Sequence, residues 1–370
     1  MTINLFFALL LGAVLALDGT AAAGGTLDAG WQNPPNAARL RAYWWWLNGN
    51  VTKAAITHDL EEMKAKGFGG AVLVDANGAA QDGNGNVPHG PTFFSPEWRE
   101  LYKHTLREAD RLGLEMSLNI QSGWNLGGPV VTKEDAAKKY VWSEIKISGG
   151  AKVVVKLPEP KARENFYRDS AVVAFRLNNS TGHPPLKNWR QKALLESLQP
   201  FSAPDSSPLF AEIPAPPGEP DAAAAEVVDL TENLSADGTV RWDAPAGDWQ
   251  VLRFGYTIGD HAYVSTGSDG WNGFAIDVYS ATAFQNYWDK IVEPLIADAI
   301  AVSGTGVSPV RFSENSETRR QDARATTGAL KYLHTDSWEV ELANWTPTLR
   351  AEFQKRHGYD LLPWLPSVWR

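Results

Sequence analysis

Two acidic residues, Asp336 and Glu339, stand three positions apart in the segment HTDSWE. Residues 329–336 predict a strand, so both carboxyl groups are expected where a strand runs out into a loop. Two carboxyl groups at such a place can act as acid and base on a sugar, and Trp338 beside them lowers the local polarity, as around a general acid. Asp336 can instead orient a sugar hydroxyl or bind a metal ion. The competing interpretation is a helix N-terminus with acidic residues near its dipole.

A second group of candidates lies in the segment WWWLNGN, which predicts a buried strand followed by a turn. Strand side chains alternate between two faces, so Trp44 and Trp46 share one face and Trp45 lies on the other. Trp44 and Trp46 are candidates for a flat surface on which a sugar stacks, and Asn48 for binding a hydroxyl group. The alternative for the indoles is packing in the core.

Polar residues also follow two further predicted strands. Asp75 ends the strand at residues 69–75, and Asn119 lies near the end of the strand at residues 114–120. Gln121 and Trp124 come in the loop beyond Asn119. The carboxyl ends of strands carry the active sites of α/β barrels, so Asp75, Asn119 and Trp124 are candidate substrate-binding residues. Each is equally suited to holding a loop in place.

The elements that position these residues alternate between strand and helix. The strand at residues 41–47 precedes a helix capped by Thr52, and the strand at residues 69–75 precedes a helix that begins at Ser95-Pro96. This order predicts a parallel sheet with helical crossovers. Near residue 140 the pattern changes to short β-like runs separated by proline-rich stretches, which predicts an inserted antiparallel β domain. Helical spacing returns near residue 284, with Pro294 expected to kink or split the helix.

The domain organisation predicted from these patterns has four parts. Residues 1–23 are a signal peptide, residues 24–140 the first part of a catalytic α/β barrel, residues 141–262 the β-rich insertion, and residues 263–370 a continuation of the barrel. Four or five barrel strands at most are recognisable, whereas a (β/α)8-type barrel typically needs about 250 residues. The barrel is therefore expected to be incomplete in this chain, as in an N-terminal fragment of a longer enzyme.

Composition excludes several other functions. The 370 residues carry a net charge of −9, which argues against a nucleic-acid-binding protein. There is no cysteine, and so no disulfide, thiolate zinc site or cysteine nucleophile. The sequence contains no phosphate-binding loop, no HExxH zinc motif and no GxSxG nucleophile motif.

The N-terminus predicts export. Residues 5–17 are an apolar run, too short for a membrane span, and the small residues Ala21-Ala22-Ala23 follow as a cleavage site. No lysine or arginine precedes the run, which is atypical of a signal peptide. No other stretch approaches the length of a span. The mature protein is therefore expected in the periplasm or outside the cell, with no stable membrane span after cleavage.

Four longer motifs carry a family resemblance: WWWLNGNVT, SPEWRELYKHTLREADRLGLEMSLN, GWNLGGP, and DSWE followed by NWTPTLRAEFQKRHGYDLLPWLP. With these motifs in this order, the sequence resembles glycoside hydrolase family 106, the α-L-rhamnosidases, over residues 39–145 and 263–370. The resemblance implies a (β/α)8-type domain interrupted by β structure. It also implies calcium dependence and the removal of terminal α-L-rhamnose, with inversion, from a rhamnose-containing glycoside or polysaccharide. The sequence does not identify residues that bind the metal.

Inversion requires an acid and a base whose carboxyl groups lie roughly 6.5–9.5 Å apart. By resemblance, Glu339 is one of the two, with the role of general base. Its partner is expected from a strand beyond the end of this sequence, with Asp336 and Glu314 as fallback candidates. Asp277 matches an acidic position of the family. Residues 119–124 depart from the family, which has a His-Asn-Gly-like stretch there.

A different class of function stays open. Glu317 and Glu314 lie in a polar stretch that is equally typical of a solvated loop. A chain that retains aromatic residues for sugars but lacks a complete acid/base pair would be a non-catalytic carbohydrate-binding protein.

Overall fold

The computed structural model describes residues 27–78, 87–176, 222–303, 328–340 and 342–368. The predicted signal peptide at residues 1–23, and also Glu314 and Glu317, lie outside the described residues. The predictions about them stay untested.

In the described part of the chain, the helices are α1 (Leu27–Gln32), α2 (Lys53–Ala65), α3 (Pro96–Leu112), α4 (Ala281–Tyr287), α5 (Glu293–Val302) and α6 (Leu349–His357). The strands are β1 (Arg41–Leu47), β2 (Gly70–Ala76), β3 (Glu115–Ser122), β4 (Gly127–Gly128), β5 (Lys138–Ser148), β6 (Lys152–Lys156), β7 (Arg168–Phe175), β8 (Val228–Asp229), β9 (Thr239–Asp243), β10 (Asp248–Ile258), β11 (Phe274–Ala275) and β12 (Leu330–His334).

A parallel sheet with the strand order β1-β2-β3-β12 is the framework of the N-terminal half. β2 pairs with β1 on one side and with β3 on the other, and β12 joins the far side of β3. The main apolar core includes residues of these strands and of α2, α3 and α5. The central strands β2 and β3 are buried along nearly their whole length, as expected from apolar runs in the sequence, whereas the edge strands β1 and β12 have exposed residues.

Local capping signals fix the helices between these strands. Thr52 accepts a hydrogen bond from the backbone N–H of Ala55, and Ser95 accepts one from the backbone N–H of Trp98. Gly113 ends α3 in the left-handed conformation, with φ of 64°. Both predicted helix starts are confirmed, because each hydroxyl satisfies an N–H group that the first helical turn leaves unpaired.

An antiparallel sheet with the order β5-β10-β7-β8 occupies the region predicted to be β-rich. Alternate residues of β7 enter two different apolar clusters, with Val173 in one and Val172 in the other. The first cluster also contains Trp345 and Leu362, and the second contains Val240 of β9. Both faces of this sheet are therefore covered.

The helix predicted to be disturbed by Pro294 is interrupted immediately before that residue. A π-helical turn, Trp288–Val292, joins α4 to α5, and Pro294 lies in the first turn of α5. Proline has no N–H to donate to the preceding turn, and it is tolerated where a helix begins. The predicted split is confirmed in this form.

The closed barrel stays a prediction. The four parallel strands form an open sheet, and the described residues show no closed (β/α)8 barrel. The structure shows a mixed α/β fold, with parallel and antiparallel sheets. Among the helices it describes, none is long and apolar enough to cross a membrane.

Candidate active site

Asp336 and Glu339 lie just beyond the carboxyl end of β12, in a segment without helix or strand structure. Ser337 connects them, since its backbone N–H donates to Asp336 Oδ1 at 2.8 Å and its hydroxyl donates to Glu339 Oε1 at 3.1 Å. Both carboxyl groups are partly exposed. The predicted strand end is thus present, and the alternative of a helix N-terminus is not what the structure shows.

The two edge strands of the parallel sheet approach each other on one face. The hydroxyl of Tyr43 in β1 donates to Asp336 Oδ2 at 3.0 Å, and the Arg41 guanidinium lies 5.2 Å from the ring centre of Tyr332 in β12. Arg41 and Tyr43 belong to the first strand of the sheet, and Tyr332 to the fourth. The side chains of the two edge strands thus meet across one face of the sheet, and Asp336 lies at this face.

Trp338 is 47% exposed, so its ring does not enclose the neighbouring carboxyl groups in an apolar environment. Its ring meets Tyr279 edge to face, with ring centres 6.4 Å apart. Tyr279 is itself 53% exposed and follows β11. The two rings form an exposed aromatic pair next to Glu339. Tyr279 was not predicted, because nothing in the sequence brings it near Trp338.

Trp44 and Trp46 do not form the expected surface for a sugar. Their side chains are 8% and 0% exposed and belong to the main core, where Trp46 packs against Trp98 of α3. The predicted alternation along β1 holds, but the face shared by these two indoles is the one that packs against the helices. A buried ring has no free face for a ligand, so this part of the prediction is corrected to core packing.

Trp45 lies on the opposite face of β1. Its ring contacts Trp124 with 5.4 Å between centres, and its indole N–H donates to the backbone oxygen of Ala76. Both rings are partly exposed. The structure thus places the predicted Trp124 beside Trp45, the indole that the sequence prediction had set aside.

Asn48 lies at the end of β1 in a left-handed conformation, with φ of 54°. Its amide donates to Asp269 Oδ2 at 3.2 Å and its oxygen accepts the backbone N–H of Asp269 at 2.9 Å. The other carboxylate oxygen of Asp269 accepts a hydrogen bond from Asn77. Asn48 therefore ties the β1 turn to the segment before β11 with both of its polar atoms.

Asp75 is completely buried and has three hydrogen-bond donors around it. Ser122 and Ser268 donate to Oδ1 at 2.5 and 2.6 Å, and the indole of Trp98 donates to Oδ2 at 2.9 Å. Burial raises the pKa of Asp75 to about 6, against the opposing effect of these donors. Asp75 is thus enclosed by groups inside the protein and holds the strand ends in place.

Asn119 and Gln121 are buried side by side on β3, which extends two residues further than predicted. Their amide groups both lie 3.4 Å from the backbone oxygen of Gly123, and their side-chain oxygens have no hydrogen-bond partner. Unsatisfied buried oxygens are unusual in proteins. These two form a polar site below the loop that carries Trp124.

Asp277 is 1% exposed, and its Oδ1 accepts the backbone N–H of Tyr279. Burial raises the pKa of Asp277, against the opposing charge of the buried Lys138. This carboxyl group supports the aromatic pair of Tyr279 and Trp338 from inside the protein. It does not lie at the surface with Glu339.

A calcium site cannot be assigned to these residues. Calcium takes six to eight oxygen ligands, usually including carboxylates. The described parts of the chain contain no group of three or more histidine, aspartate or glutamate side chains that could hold a metal ion. The calcium dependence implied by the family resemblance stays a prediction.

The arrangement brings a pair of carboxyl groups, an exposed aromatic pair and a tyrosine hydroxyl to one end of the parallel sheet. Carboxyl groups of this kind can transfer protons to and from a sugar, and exposed aromatic rings can stack on one. Asp336, Glu339 and Trp338 are brought together as expected, whereas Trp44, Trp46 and Asp75 lie inside.

Comparisons with known proteins agree with this chemistry. A relative from Formosa agariphila, described as a putative beta-glucuronidase, is 31% identical over 345 residues, which are 92% of this chain and 26% of the relative. The structure of a rhamnosidase from Novosphingobium sp. PP1Y has the same fold, with a TM-score of 0.67 and 24% identity over 93% of this chain and 42% of that one. The chain thus spans less than half the length of either protein. The model of the glycoside hydrolase family 106, described as alpha-L-rhamnosidase, matches residues 32–369, and the chain therefore belongs to this family.

Proposed function

We propose that this chain forms part of the active site of an exported glycosidase that removes terminal α-L-rhamnose by an inverting acid/base mechanism. The observation that carries the proposal is the Asp336–Ser337–Glu339 segment, which follows β12 and contacts Tyr43 of β1. It places a pair of carboxyl groups at the strand end where α/β enzymes carry their chemistry. Family membership supports the choice of sugar.

In this mechanism Glu339 is the general base that activates a water molecule. Its carboxylate is partly exposed, and one of its oxygens accepts a hydrogen bond from the hydroxyl of Ser337. The acid that protonates the leaving oxygen comes from outside the described residues, with Asp336 as the alternative within them. Trp338 and Tyr279 provide the apolar surface beside the reacting bond.

The decisive experiment measures release of 4-nitrophenol from 4-nitrophenyl α-L-rhamnoside, with and without added calcium. It uses this chain and a longer form that continues to the length of the relatives. Activity only in the longer form supports a partner carboxylate beyond residue 370. Activity in the 370-residue chain places both carboxylates within it. NMR of the first-formed anomer distinguishes inversion from retention.

Substitution Glu339→Gln should lower turnover at least about 100-fold, because an amide cannot accept the proton of the attacking water. Glu62→Gln, on the exposed face of α2, is the matched control and should retain full turnover. Near-native turnover of Glu339→Gln would remove Glu339 from the mechanism.

Two other outcomes are tested alongside. Hydrolysis of 4-nitrophenyl β-D-glucuronide in place of the rhamnoside would match the description of the Formosa relative. Binding of rhamnose without hydrolysis of either substrate would favour a non-catalytic carbohydrate-binding protein. Export is tested separately by N-terminal sequencing of the mature protein, which should begin after Ala23.

A further inference from the structure

A contact between distant parts of the chain holds one of the candidate carboxyl groups. The hydroxyl of Tyr43 donates to Asp336 Oδ2 at 3.0 Å, although the two residues are 293 positions apart in the sequence. Tyr43 is 51% exposed, so its ring stands on the open face of the sheet and not in the core. The hydrogen bond therefore lies where a substrate approaches.

The other described contacts of Asp336 come from residues close to it in the sequence. The backbone N–H of Ser337 donates to Oδ1, and His334 Nε2 lies 3.5 Å from Oδ2. Ser337 belongs to the same loop segment, and His334 is the last residue of β12, from which the segment continues. The contact with Tyr43 is different in kind, because it fixes the segment relative to the first strand of the sheet.

The position of Asp336 is passed on to Glu339. Ser337 binds Asp336 through its backbone and Glu339 through its hydroxyl, so a displacement of one carboxyl group displaces the other. A shift of about 1 Å in a reacting group is enough to slow catalysis substantially. Tyr43 does not need to touch the substrate to influence the reaction.

The hydroxyl of Tyr43 is suited to this task over the whole neutral range. Burial, and then the nearby charge of Asp336, raise its pKa above the ordinary value, so it stays protonated and donates its hydrogen bond. Hydrogen bonds to charged groups are stronger than those between neutral groups.

We infer that Tyr43 is a positioning residue, which holds the Asp336–Ser337–Glu339 segment in the geometry needed for catalysis. This inference rests on the proposed glycosidase function. It adds a residue of β1 to a site whose two carboxyl groups both follow β12.

The first test detects the hydrogen bond between Tyr43 and Asp336 without an activity assay. Tyrosine labelled with ¹³C at Cζ gives one resonance per residue, and the resonance of Tyr43 is assigned by its loss in Tyr43→Phe. Asp336→Asn should move this resonance at neutral pH, because the charged acceptor is removed. The control is Asp59→Asn, which should leave the Tyr43 resonance unchanged. Asp59 lies in α2, and its carboxylate accepts the indole N–H of Trp44. An unmoved resonance in Asp336→Asn would overturn the inference.

The second test uses the catalytically active form of the protein and separates kcat from KM. Tyr43→Phe should lower kcat about tenfold with little change in KM, and the same substitution in an Asp336→Asn background should have almost no further effect. The matched control is Tyr332→Phe, because Tyr332 has similar exposure and lies on β12. Unchanged kcat in Tyr43→Phe, or an equal loss in both backgrounds, would overturn the positioning role. Lack of rhamnoside hydrolysis in the unsubstituted protein would refute the proposed function, and the NMR test would then decide the contact alone.

Discussion

The buried carboxyl group of Asp75 should make the stability of this protein depend on pH in a predictable direction. Its pKa is raised from 3.8 to about 6 by burial. A raised pKa means that the folded protein binds a proton more tightly than the unfolded chain does. The resulting stabilisation is complete below about pH 4 and is lost as the pH rises towards 6 and beyond.

The size of this effect follows from the pKa change. One pKa unit corresponds to 1.36 kcal/mol, and at pH 4 the unfolded carboxyl group is only partly protonated, so Asp75 should contribute about 2 kcal/mol more to the free energy of unfolding at pH 4 than at pH 7.5. The carboxyl group is 0% exposed, so solvent screening does not reduce the figure. Asp75→Asn has no ionisable group at this position and should lose this contribution. Its amide replaces one of the two acceptor oxygens with an N–H2 donor, which changes at least one of the present hydrogen bonds at a cost of about 1–3 kcal/mol at every pH.

Urea denaturation between pH 4 and pH 7.5 tests this reasoning. Other carboxyl groups also titrate over this range, so the informative quantity is the difference in unfolding free energy between the unsubstituted protein and Asp75→Asn. That difference should shrink by about 2 kcal/mol from pH 4 to pH 7.5. The control is Asp59→Asn, since Asp59 also accepts an indole N–H but is partly exposed. A difference that stays constant with pH for Asp75→Asn would refute the argument.

Two further predictions concern stability elsewhere in the described structure. In the antiparallel sheet, Asp169 receives two hydrogen bonds from Arg253, whose side chain is 7% exposed. Asp169→Ala should lower the free energy of unfolding by about 2 kcal/mol in urea, whereas Glu352→Ala, at an exposed ion pair, should change it by less than about 0.5 kcal/mol. At the start of β2, a Cβ added to Gly70 would lie 1.8 Å from a backbone oxygen of β3, whereas one added to Gly30 meets nothing within 4 Å. Gly70→Ala should therefore lower the free energy of unfolding by about 3 kcal/mol or prevent folding. Gly30→Ala is the control and should be tolerated. An equal change in melting temperature for both variants would contradict the close packing at β2.

Local signals in the sequence were sufficient for the elements around the first three strands. β1 has the predicted bounds, and the hydroxyl groups of Thr52 and Ser95 cap the predicted helices. These features depend on residues within a few positions of one another. The alternation of Trp44, Trp45 and Trp46 was predictable for the same reason, but the face that packs against helices was not.

The candidate site depends on contacts that have no local signal. Asp75 is enclosed by Ser268, and Asn48 is tied to Asp269, from a segment about 200 residues later. Asp75 lies near the end of β2 and Asn48 follows β1, as expected of ligand-binding groups, yet the polar atoms of both side chains are hydrogen-bonded inside the protein. The sequence thus predicted that polar groups lie at the ends of the parallel strands. It did not distinguish side chains that can face a ligand from those whose hydrogen bonds stabilise the fold.

The antiparallel ladder between β5 and β10 has a consequence for the order of folding. β12 pairs with β3 at Leu333 and Leu118, 215 positions apart, so this parallel pairing must close a very long loop. The ladder brings Lys138 next to Ile258 and excludes the chain between them from that loop. If the ladder forms first, the effective loop is about 95 residues and its closure costs about 0.7 kcal/mol less. The inserted sheet then acts as a bridge that speeds completion of the parallel sheet, and weakening it should slow folding even though it lies outside the candidate site.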